Sequence, residues 1–433
     1  MRKTDTVVIG AGHSGLAASR LLTDAGRDHV VLERGRVAES WRSRRWDSLR
    51  LLTPNWMSRL PGFGYEDFEH SNPDPDGFMS APAVAEYVTA YARSFAAPVV
   101  FETVEDVRTH SDGYAVTSTD GTWSARNVIV ATGSSDRPRV PSCANDLPDH
   151  VHQASASLYR RPEGLPDGKV LVVGASSSGV QIAAELALAG RDVVLAVGRH
   201  ARLPRRYRGH DVMWWLDRMG TLDRTVDEVS MHTRREPSLQ LVGGADGVDV
   251  HLAALRRHGV RLAGRLAAVD GDEAVFARDL AGTVAEADGR ARRVLRRIDA
   301  YAAAGGREAQ PDEPLEPLEP LEPLEPLEPL PATATATPDS LHLRRENIRT
   351  VLWATGYRRS YRWLHVPVLG PDGDIRHRAG VTPAPGLYVI GMPWQTRRSS
   401  SFLDGVRHDA RIVVDHLIAR RPARSLTVVG GAA

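Results

Sequence analysis

Thr6-Val-Val-Ile-Gly10-Ala-Gly12-His13-Ser14-Gly15-Leu16 decides the fold. A short β-branched run, a turn with three glycines and an apolar stretch with helical spacing follow one another, which reads as strand, turn and helix. Gly10 permits the tight turn, Gly12 lets the backbone approach a pyrophosphate, and Gly15 lets helix and strand pack closely. The helix N-terminus, with His13 and Ser14 in its first turn, then faces the phosphates. Gly26 stops that helix, and His29-Val-Val-Leu32 is the next strand, ending at Glu33. This carboxylate, 23 positions after Gly10, can accept from a ribose hydroxyl and repels a 2′-phosphate. The unit therefore takes FAD or NAD and excludes NADP.

The same pattern returns about 160 residues later in Lys169-Val-Leu-Val-Val173, Gly174 to Gly179, Val180 to Ala189, Gly190 and Val193-Val-Leu195. Ser176 replaces the middle glycine, and Ser177 and Ser178 lie beside it before Gly179. The next strand ends in Val197-Gly-Arg199-His200-Ala-Arg202, with arginines and no acid. A planar, bidentate guanidinium suits the 2′-phosphate of NADPH. Two such units predict an α/β fold of two Rossmann-like dinucleotide-binding domains, the NADPH domain inserted into the FAD domain. The expected division is 1–165 for the first part of the FAD domain, 166–357 for the NADPH domain and 358–433 for the second FAD part. A Glu-Pro-Leu-rich linker insert occupies 306–340.

Composition narrows the function. The 433 residues carry 55 basic and 54 acidic side chains, a formal charge of +1, so no global field calls for nucleic acid or an anionic membrane. Cys143 is the only cysteine, which excludes an intrachain disulfide, a Cys-x-x-Cys redox pair and a cysteine-rich zinc site. His150 and His152 have no third ligand nearby, so no metal is expected. No apolar run reaches the roughly 18–20 residues that span a bilayer, and the N-terminal apolar run reads as strand and turn; the expectation is a cytoplasmic protein. Leu280 to Ala304 has the spacing of an exposed amphipathic helix. In the strict repeat Glu313–Leu330 a proline every third residue forbids helix and sheet, leaving polyproline II or disorder and the role of a surface spacer.

Together the two glycine motifs, Leu32-Glu-Arg34, Ser40-Trp41-Arg42, Trp46-Asp-Ser-Leu-Arg-Leu-Leu-Thr53-Pro54 and the Ala-Thr-Gly signatures Ala131-Thr-Gly133 and Ala354-Thr-Gly356 resemble those of the flavin-containing monooxygenases. That family includes the plant enzymes acting on indole-3-pyruvate and bacterial FAD-dependent relatives. The resemblance covers nearly the whole chain outside the repeat. It implies FAD and NADPH as cofactors, with the Ala-Thr-Gly segments marking the crossings between domains. It also implies that Arg34, Ser40, Trp41 and the Gly391-Met-Pro-Trp-Gln395 passage lie against the flavin. The family fingerprint is altered. Aligned through Tyr159, Asp149, Val151 and Ser155 stand where a Phe, a Gly and a His belong, and Leu52 falls where animal members have an asparagine. Thr53 and Asn55 are the candidates to substitute for that asparagine.

The activity implied is that of an FAD- and NADPH-dependent monooxygenase. One oxygen atom of O2 would enter a small molecule through a hydroperoxyflavin, by N- or S-oxygenation or by attack on a ketone. The protein's share is positioning, charge stabilisation and exclusion of water. The altered fingerprint keeps open an NADPH oxidase or quinone reductase that releases hydrogen peroxide, and a non-catalytic, redox-sensing flavoprotein. Near the C-terminus, Ser399-Ser-Ser401 is expected to cap a helix carrying Val406, Ile412, Val413, Leu417 and Ile418. By resemblance its positive end faces the isoalloxazine, with Arg397 and Arg398 close by.

Overall fold

A computed structural model describes residues 1–68, 73–111, 113–243, 250–305 and 338–420. The Glu-Pro-Leu repeat lies outside them. The first unit opens with strand β1 (Arg2–Ile9), helix α1 (His13–Asp24) and strand β2 (His29–Leu32), as the glycine pattern requires. Helix α2 (Ala81–Ser94) follows, capped by the Ser80 hydroxyl, which accepts from the Ala83 N–H. Then come β3 (Val99–Val100), β4 (Val104–His110), β5 (Gly113–Ser118) and β6 (Gly121–Val130).

The chain now leaves for a second sheet. Its strands are β7 (His152–Ser155), β8 (Lys169–Val173), β9 (Val193–Ala196), β10 (Arg261–Ala263) and β11 (Ile348–Trp353). Helix α3 (Ser177–Leu188) links β8 to β9, and α4 (Leu280–Ala303) precedes β11. The order is β10-β9-β8-β11-β7, all parallel. Because β7 pairs with β11, this sheet begins upstream of residue 166.

The return strand β12 (Leu387–Val389) then pairs with β6, and α5 (Val406–Ala419) closes the chain. The first sheet runs β3-β2-β1-β6-β5-β4, with β6 pairing antiparallel to β5 through its first half and parallel to β12 through its second. The first unit is thus completed only after the second has been built.

Each sheet is buried on both faces. Leu16, Leu21 and Leu22 of α1 meet Val84 and Val88 of α2 and Val413 and Leu417 of α5 over one face of the first sheet. Val107, Val116 and Val130 meet Leu364, Val366 and Val368 on the other. Each such side chain contributes about 1.5–3 kcal/mol by leaving water. The expectation of an exposed helix at 280–304 is corrected in one respect. The helix forms, but its stripe Ala291, Leu295, Ile298 and Ala302 is buried against Val212, Met213, Trp215 and Leu222. Its partners are far away in sequence, so the local pattern showed an apolar stripe without showing what covers it.

Candidate functional site

Both glycine turns are built by one device. At Gly10, with φ +110°, an added Cβ would lie 2.6 Å from the Ala131 carbonyl oxygen; at Gly174, with φ +107°, it would lie 2.5 Å from that of Ala354. The two Ala-Thr-Gly segments therefore press on the two turns from the neighbouring strand end. A Cβ on Gly15 would meet the Gly10 oxygen at 1.9 Å, and one on Gly179 the Gly174 oxygen at 1.8 Å. These four positions are glycine because backbone occupies the space of a side chain.

Gly12 differs, since a Cβ there meets nothing within 4 Å. It is the N-cap of α1 and gives no side-chain cap, so the first-turn N–H groups at His13, Ser14 and Gly15 lack a side-chain acceptor among the described residues. Burial holds the His13 imidazole down to about 4, neutral at physiological pH, and its buried Nε2 has no partner among the described residues. Glu33 is 9% exposed. Its Oε2 accepts from the Ala11 N–H at 2.7 Å and its Oε1 from the Gly35 N–H at 3.0 Å, leaving lone pairs on both oxygens. Open space at Gly12, uncapped N–H groups and a carboxylate at the strand end fit a dinucleotide without a 2′-phosphate. Gly391, with φ +83°, brings the chain after β12 against the same turn, its position for a Cβ lying 2.5 Å from the Ser14 Oγ.

Ser40 and Trp41 lie on a short helix, Glu39–Ser43, where the Arg45 guanidinium sits 5.1 Å over the Trp41 ring. Arg34 is turned to Asp136 at 3.5 Å, which also draws Arg44 at 3.5 Å. Gly133 and Gly356, both at positive φ with open space at their Cβ positions, begin the two crossings. These crossings are bonded to each other. Arg137–Pro138 pairs antiparallel with Tyr357–Arg358, and the Arg139 N–H donates to the Gly356 carbonyl at 2.9 Å.

In the second turn Ser176 is the N-cap of α3 but makes no capping bond, and Ser177 and Ser178 open the helix. Ser177 Oγ accepts from Gln181 Nε2 at 3.2 Å. Beyond β9, Arg199 is exposed, while His200 is fully buried with its Nδ1 at 3.0 Å from the Gly198 carbonyl. Arg202 is spent on an ion pair with Asp288 of α4.

Thr53 is half-buried. Asn55 is buried, its amide donating to the Asp74 carbonyl at 2.9 Å and its Oδ1 accepting from the Met79 N–H at 2.8 Å. Both donors and acceptors retain one further valence. Sequence reasoning missed the residue that holds this segment. Arg205, 5% exposed, donates from Nη1 to the Leu52 carbonyl at 2.7 Å, pairs with Asp211 at 2.6 Å, and lies 4.2 Å over the Phe78 ring. Between this segment and residues 205–214 lies a cleft of about 780 Å³, with Asn55, Trp56, Phe68, Phe78 and Trp214 in its walls. A cavity of about 840 Å³ at Met1, Asp5, Arg27 and Arg126 sits at the start of β1, the end away from the glycine turn.

The expectation for the C-terminal serines is corrected. Helix α5 begins at Val406 with Gly405 as N-cap and no side-chain cap. Ser400 Oγ instead accepts from the Thr396 and Arg397 N–H groups at 3.1 and 3.0 Å. Arg397 pairs with Asp223 at 3.0 Å. Below them Asp409, fully buried in the first turn of α5, is bonded to the Thr396 hydroxyl, and burial pushes its carboxyl up to about 6.

The sequence pattern described as pyridine nucleotide-disulphide oxidoreductase matches residues 7–236. An uncharacterized oxidoreductase, CzcO-like, of Geobacillus kaustophilus is 29% identical over 419 residues, covering 96% of this chain and 98% of its own. The indole-3-pyruvate monooxygenase YUCCA1 of Oryza sativa subsp. japonica is 32% identical over 219 residues, 47% of this chain and 50% of that protein. Among solved structures, a flavin-containing monooxygenase from Stenotrophomonas maltophilia superimposes with a TM-score of 0.64 at 20% identity, covering 97% of this chain and 99% of that one. That likeness is one of fold.

Proposed function

The chain belongs to the pyridine nucleotide-disulphide oxidoreductase family, and we propose that within it the protein is an FAD- and NADPH-dependent monooxygenase of small molecules. One observation carries the reading. Two glycine turns of the same construction stand at the ends of two sheets, with a carboxylate after one second strand and a free arginine after the other. The disulphide in the family's description has no counterpart here. Cys143 is the sole cysteine, and burial pushes its thiol up, away from the reactive thiolate.

The bound flavin supplies electron transfer from reduced nicotinamide to dioxygen. The chain's own residues do the rest. The first-turn N–H groups of α1 hold the pyrophosphate, and Glu33 accepts from the ribose hydroxyls. The neutral His13 ring adds no charge to that site. Arg199 selects the phosphorylated coenzyme. Asn55 offers its amide at the cleft, whose walls set Trp56, Phe68, Phe78 and Trp214 beside the charged Arg50, Asp74, Asp76 and Arg206, and Thr53 stands two positions before it in the same segment. Arg205 and Asp211 keep that segment in register with the second domain. The small-molecule partners are thus a substrate that meets both aromatic and charged side chains, and O2.

One observation favours an oxidase instead. Ser155, at the family's histidine position, ends β7 with its Oγ buried 3.0 Å from that of Ser157, a pair turned toward each other. Anaerobic addition of NADPH to the yellow protein tests the cofactor assignment. Rapid bleaching with NADPH and slow bleaching with NADH is the expected result. No bleaching with either leaves the redox-sensing reading.

A further inference from the structure

A pocket of about 690 Å³ lies between the loop after β9 and helix α4, its walls including Arg199, Gly282, Glu286, Gly289, Arg290 and Arg293. On α4 these residues recur at intervals of three and four and form one face, different from the stripe buried in the core. Gly282 and Gly289 weaken a helix relative to alanine, and packing does not require them. A Cβ at Gly282 would meet nothing within 4 Å, and one at Gly289 only the Arg293 Nη1 at 3.7 Å. Their effect is to keep that wall of the pocket low.

The charges around this wall are organised. Arg290 Nη2 donates to the His200 carbonyl at 2.7 Å, and its Nη1 is 3.7 Å from Glu286. With the Arg202–Asp288 pair, this fastens α4 to the loop that carries Arg199. Arg199 and Arg293 make no hydrogen bond or ion pair with another described residue. Three arginines face one glutamate, which selects an anion. The end of the second strand in a dinucleotide unit is where the adenosine ribose lies.

We propose that α4 supplies half of a 2′-phosphate pocket: Arg293 from the helix and Arg199 from the loop grip the phosphate, and the glycine face leaves room for the adenosine. Arg290 is a positioning residue that ties the two walls together. The proposal rests on the NADPH reading above and adds to it a coenzyme-selecting residue more than 90 positions beyond Arg199.

Calorimetric titration of the flavin-loaded full chain with adenosine 2′,5′-bisphosphate and with AMP isolates the 2′-phosphate. The unaltered chain binds the bisphosphate more tightly. Arg293→Ala weakens the bisphosphate about tenfold, the lower range of one charge-assisted pair, and leaves AMP unchanged; Arg293→Lys recovers part of the loss. Gly289→Leu, which favours the helix, keeps the melting temperature and weakens both nucleotides by filling the pocket. If Arg293→Ala leaves the bisphosphate affinity intact while Arg199→Ala lowers it, α4 has no part and the NADPH reading stands. Undiminished binding of both nucleotides to a folded Gly289→Leu chain overturns the pocket in the same way. Equal affinity of the unaltered chain for the two nucleotides removes the NADPH reading and this proposal with it.

Discussion

Gly12 and Gly15 stand three positions apart and answer to different constraints. Gly15 is glycine because the Gly10 oxygen would lie 1.9 Å from a Cβ, a contact internal to the fold. Gly12 has open space, which the structure itself does not use. Gly12→Ala should therefore fold and melt as the flavin-free parent does, yet purify with little FAD. Gly15→Ala should lose about 3 kcal/mol or more by forcing α1 from β1. Flavin absorbance and thermal melting of the two variants check this, and full flavin content in Gly12→Ala would contradict it. Asp409 gives a pH test. Its carboxyl is near 6 in the fold against 3.8 for the free group, so the protonated form stabilises the fold. That contribution is complete below about pH 4 and is lost as pH rises through 6, a penalty of about 3 kcal/mol at pH 8 as an upper figure. Asp409→Asn should raise the melting temperature at pH 8 and change it little at pH 4. An equal fall at both values would mean that the carboxyl itself is required by Thr396 and Ser400.

At the scale of elements, the turns and the strands beside them were legible in the sequence. A positive φ or a backbone pressed against backbone leaves glycine as its mark at Gly10, Gly15, Gly174 and Gly179. The Ala-Thr-Gly repeats marked the crossings for the same reason. What was not legible depends on partners distant in the chain. The start of α5 was misplaced because Ser400 caps a turn formed by its own neighbours Thr396 and Arg397, which locally resembles a helix cap. The covered face of α4 and the role of Arg205 needed the second domain folded around them. Arg205 also yields a prediction. Removing it strands Asp211, whose carboxyl burial already pushes up, so Arg205→Ala should cost about 3–5 kcal/mol. Replacing both residues with leucine should cost less than the single change, as measured by denaturant midpoints. A single variant as stable as the parent would show that the pair does not anchor Leu52.

Over the whole molecule, two sheets are joined by crossings that pair with each other, Arg137–Pro138 against Tyr357–Arg358, so the glycine turns of the two units share one frame. That arrangement suits a reaction in which one bound nucleotide must meet the other and then a substrate. On the reading proposed above, the cleft lined by Asn55, Trp56 and Phe78 is the third party's place. Oxygenation and simple oxidation consume NADPH alike and differ in the fate of oxygen. The most direct measurement is therefore hydrogen peroxide released per NADPH oxidised, across a panel of amines, thioethers and ketones. The account predicts a ratio near one without substrate that falls well below one with at least one compound, with an oxygen-18 atom from labelled O2 in the product. A ratio near one for every compound, with no label incorporated, would contradict it.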